Sequence, residues 1–267
     1  MVVASGGRQT AGVEGHEESA SALRRAWDEN ASDWVRWARA SHDSYWRFHG
    51  NRFQELVPAP GRLTVDVGAG EGRVGRELMS SGHRVVALDS SFFLARTAAT
   101  HDTGQPAIVA DAAALPLREE CADLVVAFMS LHDVDDLVGA VSEAARLLAP
   151  EGRLCVAIVH PLNSAGRFEG EREDRDAPFV VRGSYLASHR YREDADHEGM
   201  TMSFNSEHRP LEAYSRALTN AGLDIEVLRE VTEDDPGSRW SRIPLFLDLR
   251  AVRSSAGSPS PSGRPRR

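Results

Sequence analysis

An open α/β fold with a mostly parallel sheet is predicted by three observations. Short apolar runs alternate with helical patterns from Arg62 to Val159, a glycine-rich turn follows the first of those runs, and polar residues close each run at its carboxyl end. Alternation of that kind builds a parallel sheet covered by helices on both faces.

The chain has 267 residues, and a single α/β domain of that size is ordinary. Residues 1–17 are rich in Gly, Ala and Ser and predict a disordered N-terminus, as residues 254–267 predict a disordered tail. Residues 18–253 between them read as one domain. Its first part, 18–57, predicts two helices carrying Trp27, Trp34, Trp37 and Trp46. Helices this aromatic must cover something: the main core, or a ligand pocket to which they form a lid. Pro58-Ala59-Pro60-Gly61 then breaks the chain.

The first strand is expected near Arg62–Val67, with a glycine turn and a helix to Ser81 after it. The second, His83–Leu88, ends at Asp89; the third, Pro106–Ala110, ends at Asp111; the fourth, Ala122–Phe128, ends at Met129-Ser130. A helix over Val134–Leu148 leads through Pro150-Glu151-Gly152 to a fifth strand, Arg153–Val159. Residues 161–206 form a polar insertion in which Phe179–Leu186 and Met200–Phe204 are expected to pair as a hairpin on the substrate side. Pro210 suits the first turn of a helix over His208–Ala221. Two last strands, Leu223–Glu230 and Pro244–Val252, have no helix between them and are expected to pair antiparallel, which makes seven strands.

Composition removes several functions. Basic residues number 31 against 40 acidic, a net charge of −9, which disfavours general attraction to nucleic-acid phosphates. Every basic residue is Arg. Without Lys there is no GxxxxGK[ST] phosphate loop, no internal Schiff base and no Tyr-x-x-x-Lys reductase centre. Two cysteines, Cys121 and Cys155, make neither a disulfide scaffold nor a Cys-rich zinc site, and no metal is expected. No apolar run reaches the ~18 residues of a membrane span, and the N-terminus lacks a secretory pattern, so a cytoplasmic protein with no membrane partner is expected.

Ligands of open α/β sheets bind beyond the carboxyl ends of the strands. Val65-Asp66-Val67-Gly68-Ala69-Gly70-Glu71-Gly72-Arg73 leaves a strand and enters a helix, and Asp89 lies 21 residues after Gly68 at the end of the next strand. Glycines let a ligand approach the backbone, and a carboxylate at that distance suits a pair of ribose hydroxyls. The run Gly70–Gly75 also fits GxGxxG, a dinucleotide signature. Against it, Arg73 takes the third glycine position when counting starts at Gly68, and Glu71 puts negative charge where a pyrophosphate would lie. Asp111 adds an acid near the base, so the pocket is expected to be electronegative and suited to a cationic ligand.

Here the chain resembles the class I S-adenosylmethionine-dependent methyltransferases, roughly from Trp27 to Val252. The resemblance rests on DVGAGEGR at 66–73, LDS at 88–90, ADAAALPL at 110–117, FMSLHDVDD at 128–136, ARLLAPEGRL at 145–154 and HRPLEAYSRALTNAGL at 208–223. It implies a Rossmann-like, doubly wound seven-stranded sheet with the last strand antiparallel, and S-adenosyl-L-methionine as cofactor. Gly68, Ala69 and Gly70 would lie under its methionine and ribose, and Asp66 below the methionine amine. Asp89 would hold the ribose hydroxyls, Ser90 would flank the adenine, and Asp111 and the Ala112 N–H would meet the adenine edge. Met129 and Ser130 would touch the cofactor near its sulfonium, with Trp34 and Trp37 over it.

His132 and His160, just beyond strand ends, are the candidate catalytic bases, since His titrates near neutral pH. The alternatives are a packing role for His132 and loop shaping for His160. Tyr45, His49, Tyr185, Tyr191 and His208 are candidates to line the substrate pocket. The reaction expected is methyl transfer to oxygen or nitrogen of a small molecule, a secondary metabolite or peptide. Nucleic acid is disfavoured because Ser130-Leu131-His132-Asp133 replaces an Asn-Pro-Pro-Tyr-like base-flipping tetrad. A nicotinamide oxidoreductase and a non-catalytic nucleoside-binding protein stay open as alternatives.

Overall fold

The computed structural model describes residues 22–40, 44–101, 104–171 and 173–254. The expected disordered ends, residues 1–17 and 255–267, lie outside the described residues. Among those described, no helix is long and apolar enough to cross a membrane.

The chain opens with α1 (Ala22–Arg39), which buries Leu23, Ala31, Trp37 and Ala38 along one side. The second expected helix is shorter and irregular: a single π-turn, Tyr45–His49, runs into α2 (Gly50–Gln54). Then come β1 (Thr64–Val67), α3 (Arg73–Ser80), β2 (Val85–Asp89), α4 (Phe92–Thr100), β3 (Ala107–Val109), β4 (Ala122–Phe128), α5 (Leu137–Leu147) and β5 (Leu148–Val159). Ser91 caps α4 through Leu94 N–H, and Asp136 caps α5 through Gly139 N–H, each satisfying an orphan donor of a first turn. After the insertion, α7 (Leu211–Asn220) leads to β10 (Leu223–Val231) and β11 (Phe246–Arg253). Pro210 is the residue before that helix, its N-cap, with extended backbone.

Seven strands form one sheet in the order β10-β11-β5-β4-β1-β2-β3. β1 to β5 run parallel, and β11 lies antiparallel between β5 and β10. This is the expected architecture. Strand order reverses beside β1, with β2 on one side and β4 on the other, so the crevice at the topological switch point opens beyond β1 and β4.

Period-two alternation sorts the central strands between two cores. Leu124, Val126 and Phe128 of β4, with Cys155 and Ala157 of β5, pack on Tyr45, Phe53, Leu56, Val74 and Leu78. Val125 and Ala127, with Leu154, Val156 and Ile158, face α5 and α7 through Val141, Ala144, Tyr214 and Leu218. A strand buried on both faces reads as a continuous apolar run, which is why β4 was legible to the residue.

The insertion pairs differently from expectation. Between β5 and α7 lie a short α6 (Pro161–Ala165), β6 (Gly166–Phe168), β7 (Phe179–Val181), β8 (His189–His197) and β9 (Met200–His208). Phe179–Val181 pairs with Gly166–Phe168, not with Met200–Phe204. Met200–His208 pairs with His189–His197, a segment whose charges look like loop. The turn explains the pairing. Glu198 and Gly199 have φ of 52° and 77° and join the paired His197 and Met200, the geometry of a two-residue type I′ hairpin. One face of this hairpin carries Ala195, Met202 and Phe204, which pack on Trp27, Trp34 and Trp37 of α1. Helix and hairpin thus form one unit over the carboxyl end of the sheet.

Candidate functional site

The strand ends frame a cavity of about 610 Å³. Its floor is the turn after β1. Gly68 sits at φ +69°, and a Cβ there would lie 2.4 Å from Ser130 Cβ; Gly70 sits at φ +58°, with Trp34 Nε1 2.9 Å from where its Cβ would be. Both positions need glycine twice over, for the left-handed backbone and for the space. Ser130 Oγ donates to Val67 O at 2.8 Å, tying the ends of β4 and β1 together. Met129 beside it has φ +52°, a conformation disfavoured without glycine. Its N–H is held by Ala157 O at 2.7 Å.

Two carboxylates face this floor. Asp89 accepts from Gly70 N–H at 2.8 Å and Ser91 N–H at 2.9 Å. Burial pushes its pKa up to about 6 against those two bonds, and Asp28 pushes the same way. Asp66 is pushed up to about 7 by burial and then by Asp89, although Gly75 N–H donates to it. Its Oδ2 is buried with no hydrogen-bond partner. A buried acceptor left unpaired is costly, and an ammonium group of a ligand would complete it. The residue set therefore fits the cationic amino-acid end of S-adenosylmethionine.

Every cofactor residue expected from sequence lines this one cavity: Asp66, Gly68, Ala69, Gly70, Asp89, Ser90, Asp111, Ala112, Met129, Ser130 and Trp34, as does Trp37. Asp111 is exposed at the rim, where its Oδ1 accepts from Ala113 N–H at 2.9 Å. Glu71 behaves differently from expectation. Its Oε1 pairs with Arg76 at 2.6 Å and Arg39 lies 3.7 Å from Oε2, so its charge is met by arginines instead of facing a ligand openly. Arg73, read in the sequence only as a misfit to GxGxxG, lines the cavity with its guanidinium 5.0 Å from the Trp34 ring and 5.4 Å from the Tyr45 ring. Burial, then Arg76, lowers its pKa to about 9.

The two histidines part company. His132 lines the cavity. Burial, with Arg209 nearby, lowers its pKa to about 3, so the ring is neutral at physiological pH. Its Nε2 lies 3.5 Å from Asp133 Oδ1, and its Nδ1 has no partner. His160 is not among the lining residues. Its Nδ1 accepts from Leu162 N–H at 3.0 Å, capping α6, and its Nε2 meets Glu230 at 3.1 Å. Both ring nitrogens are thus engaged in holding the loop after β5, which corrects the expectation of a base there. His208 is likewise structural, bonded to Ser164 Oγ at 2.7 Å and Tyr185 O at 2.8 Å. Tyr45 and His49 are buried in the core and Tyr185 accepts from Leu211 N–H; of the five pocket candidates only Tyr191 lines the cavity.

The same cavity has further lining residues beside those expected for the cofactor, and these are termed its second chamber. Phe48, Phe246, Trp240 and Phe204 supply apolar wall, and Asp133, Tyr191, Glu193 and Ser206 supply polar groups. Ser206 Oγ donates to Asp133 Oδ1 at 2.6 Å. Burial pushes the Asp133 carboxyl up to about 8, against the pull of Ser206 and Arg209. The only signal available in the sequence was the alternation Tyr191-x-Glu193-x-Ala195, which the surrounding charges mask.

Known proteins match this arrangement. Residues 65–156 match the family model described as a methyltransferase domain. A demethylmenaquinone methyltransferase of Corynebacterium urealyticum is 34% identical over 115 residues, 43% of this chain and 48% of that protein. A mitochondrial protein of Danio rerio named an arginine-hydroxylase is 32% identical over 98 residues, 36% of this chain and 30% of that one. The chain thus spans about half or less of the length of the curated relatives it matches. A solved S-adenosylmethionine-dependent methyltransferase from Mesorhizobium loti superposes with a TM-score of 0.63 at 23% identity, covering 79% of this chain and 98% of that one. Motif and sheet order converge: residues 65–156 match a methyltransferase domain, and the chain has the fold of the solved S-adenosylmethionine-dependent methyltransferase it superposes on.

Proposed function

We propose that the protein transfers a methyl group from S-adenosylmethionine to an oxygen or nitrogen of a small molecule or peptide, as a cytoplasmic enzyme of secondary metabolism. One observation carries the reading: the cavity bearing the unpartnered Asp66 carboxylate is also lined by rings and carboxyl groups beyond the expected cofactor residues, among them Phe204, Trp240, Asp133 and Glu193. A nucleoside-binding protein has no need of that second chamber.

When bound, the cofactor supplies an activated methyl, whose S–C bond breaks as the acceptor's lone pair forms the new bond, the electron pair staying on a neutral thioether sulfur. The protein's share is alignment. Asp66 and Asp89 fix one end of the cleft and the Met129–Ser130 turn the other, and such positioning alone is worth ~7 kcal/mol or more in favourable cases. Trp34 and Phe204, 6.3 Å apart and near-perpendicular, cover the cleft from α1 and β9, excluding water.

Titration with S-adenosylhomocysteine against NADH, followed by tryptophan fluorescence, tests this, because Trp34 lies on the glycine floor. Saturable binding of the first alone, lost in Asp89→Ala, is expected. Binding of NADH instead overturns the proposal in favour of a nicotinamide enzyme. Binding of S-adenosylhomocysteine with no release of it during turnover of any acceptor would favour another chemistry on this fold, as the relative named an arginine-hydroxylase suggests.

A further inference from the structure

The second chamber has a chemical bias. Its polar side is made entirely of groups that accept hydrogen bonds or carry negative charge. Tyr191 and Glu193 stand on the cavity face of β8, Ser206 faces Tyr191 across the hairpin, and Phe204 faces Glu193. Asp133 reaches the same spot from the loop after β4, bonded to Ser206. Burial holds the Tyr191 phenol well above its usual range, and Asp133 and then Glu193 push the same way. His132 adds an unpartnered, buried Nδ1 at the cavity wall. With Nε2 turned to the Asp133 carboxylate, the tautomer carrying hydrogen on Nε2 is favoured, which leaves Nδ1 a lone-pair acceptor.

Beside these groups the lining is aromatic. Phe204 packs edge-on to Trp27, Trp34 and Trp37 at 6.4, 6.3 and 6.0 Å. Ring faces beside carboxylates attract cations, above all when water is excluded. The cavity's arginines do not reverse this bias. Arg47 pairs with Glu233, Arg24 is exposed at the start of α1, and Arg73 lies against the rings of Trp34 and Tyr45 on the cofactor side. Arg209, behind His132, donates to Glu207 and to the carbonyls of Leu131 and Val134.

Resting on the methyl-transfer reading, we infer that the acceptor is a protonated amine with an apolar body, received by Glu193, Asp133 and the His132 Nδ1 against the Trp27–Trp34–Trp37–Phe204 wall. An ammonium has three N–H donors, and this wall offers three acceptors. A carboxylate or phenolate acceptor would bring no N–H donor to these acceptors. The amine must lose a proton before its lone pair can attack. The ionised form of Asp133 takes it, the ammonium N–H bond breaking as the carboxyl O–H forms; burial raises that carboxyl to about 8, so the competent form grows as pH rises toward 8, and the freed lone pair is then directed toward the Met129–Ser130 turn.

Calorimetric titration of the S-adenosylhomocysteine-loaded protein with phenethylamine, phenethyl alcohol and phenylacetate tests this. The amine is expected to bind at least tenfold more tightly than either isostere. Glu193→Gln, on an exposed strand, is expected to cut amine affinity about tenfold and to leave S-adenosylhomocysteine affinity unchanged. Equal or tighter binding of the alcohol or the carboxylate, no binding of the amine up to millimolar concentration, or an unchanged amine affinity in Glu193→Gln overturns the inference. Failure of S-adenosylhomocysteine itself to bind would instead overturn the methyl-transfer reading, so the two failures are separable.

Discussion

Asp66 puts a cost on stability for the sake of binding, and the cost can be measured. In the folded protein its carboxyl is pushed from 3.8 to about 7, chiefly by burial. In the unfolded chain it ionises near 4, so between those two values the folded state holds a proton that the unfolded state has lost. Wherever the folded state binds more protons, stability falls as pH rises. The loss therefore accumulates from pH ~4 to ~7 and is complete above pH ~7; at ~1.4 kcal/mol per unit, a shift of about three units amounts to ~4 kcal/mol. Asp66→Asn keeps the shape and the acceptor for Gly75 N–H but removes the charge. At pH 8 the variant is expected to be more stable than wild type by a few kcal/mol, a rise of roughly ten degrees in Tm. At pH 4 the two should nearly coincide. The same substitution should abolish the pH dependence of S-adenosylmethionine binding, which in wild type should weaken about tenfold from pH 8 to pH 6 as Asp66 takes up its proton. Differential scanning fluorimetry across pH 4–8 and calorimetry of binding read the two effects. A Tm difference that does not grow between pH 5 and pH 7, or a variant less stable at pH 8, would refute the reasoning.

Three further outcomes follow from particular contacts. Gly68→Ala places a methyl 2.4 Å from Ser130 Cβ at a left-handed φ, so S-adenosylhomocysteine affinity should fall at least tenfold, read by the same fluorescence titration; unchanged affinity would mean that the turn relaxes freely. His160→Ala removes the cap of α6 and the Glu230 contact, which should cost ~1 kcal/mol in a denaturant melt while leaving kcat within about twofold; a hundredfold loss of kcat would return His160 to the catalytic role. Asp248→Ala strips the buried His49 of its partner at 3.0 Å between Phe128 and Phe246. It should destabilise by ~3 kcal/mol or more, and a loss under 1 kcal/mol would show that the ring repacks.

The cofactor half of the site was legible because each of its residues is local. Gly68, Asp89, Asp111 and Ser130 each end their own strand run, and a parallel sheet gathers such ends on one edge whatever the packing details. The β4 boundaries were legible for the related reason that, apart from Asp123 near its start, the strand is apolar throughout, as a doubly buried strand tends to be. The insertion was misread where local and tertiary signals conflict. His189–His197 carries seven charged or histidine side chains in nine residues, and a short-range reading takes such a run for solvated loop. It becomes a strand because the Glu198-Gly199 turn and the packing of Ala195 and Met202 on Trp37 fix its register. His160 was misread for the opposite reason. Its position at a strand end was right, but what the ring does there depends on Leu162 N–H and on Glu230, the latter on a strand seventy residues further along.

The same division separates what the two chambers can reveal. The floor after β1 is built from a glycine turn, a strand-end acid and a serine tether, each local to its own strand end. The second chamber is assembled from the loop after β4, the segment around Phe48, the β8–β9 hairpin and the Trp240–Phe246 stretch, and no two of these are neighbours in sequence. The segment around Phe48 and the Trp240–Phe246 stretch also reach the main core, since Tyr45 and Phe53 pack on Phe128 and Phe246 pairs with Val159, whereas the β8–β9 hairpin pairs outside the main sheet. The family match over residues 65–156 covers the glycine floor but not the hairpin or the Trp240–Phe246 stretch. The hairpin's Tyr191 and Glu193 and the rings around Phe204 are therefore where the proposed acceptor is to be tested, since they are held in register by the β8–β9 turn and the packing on Trp37.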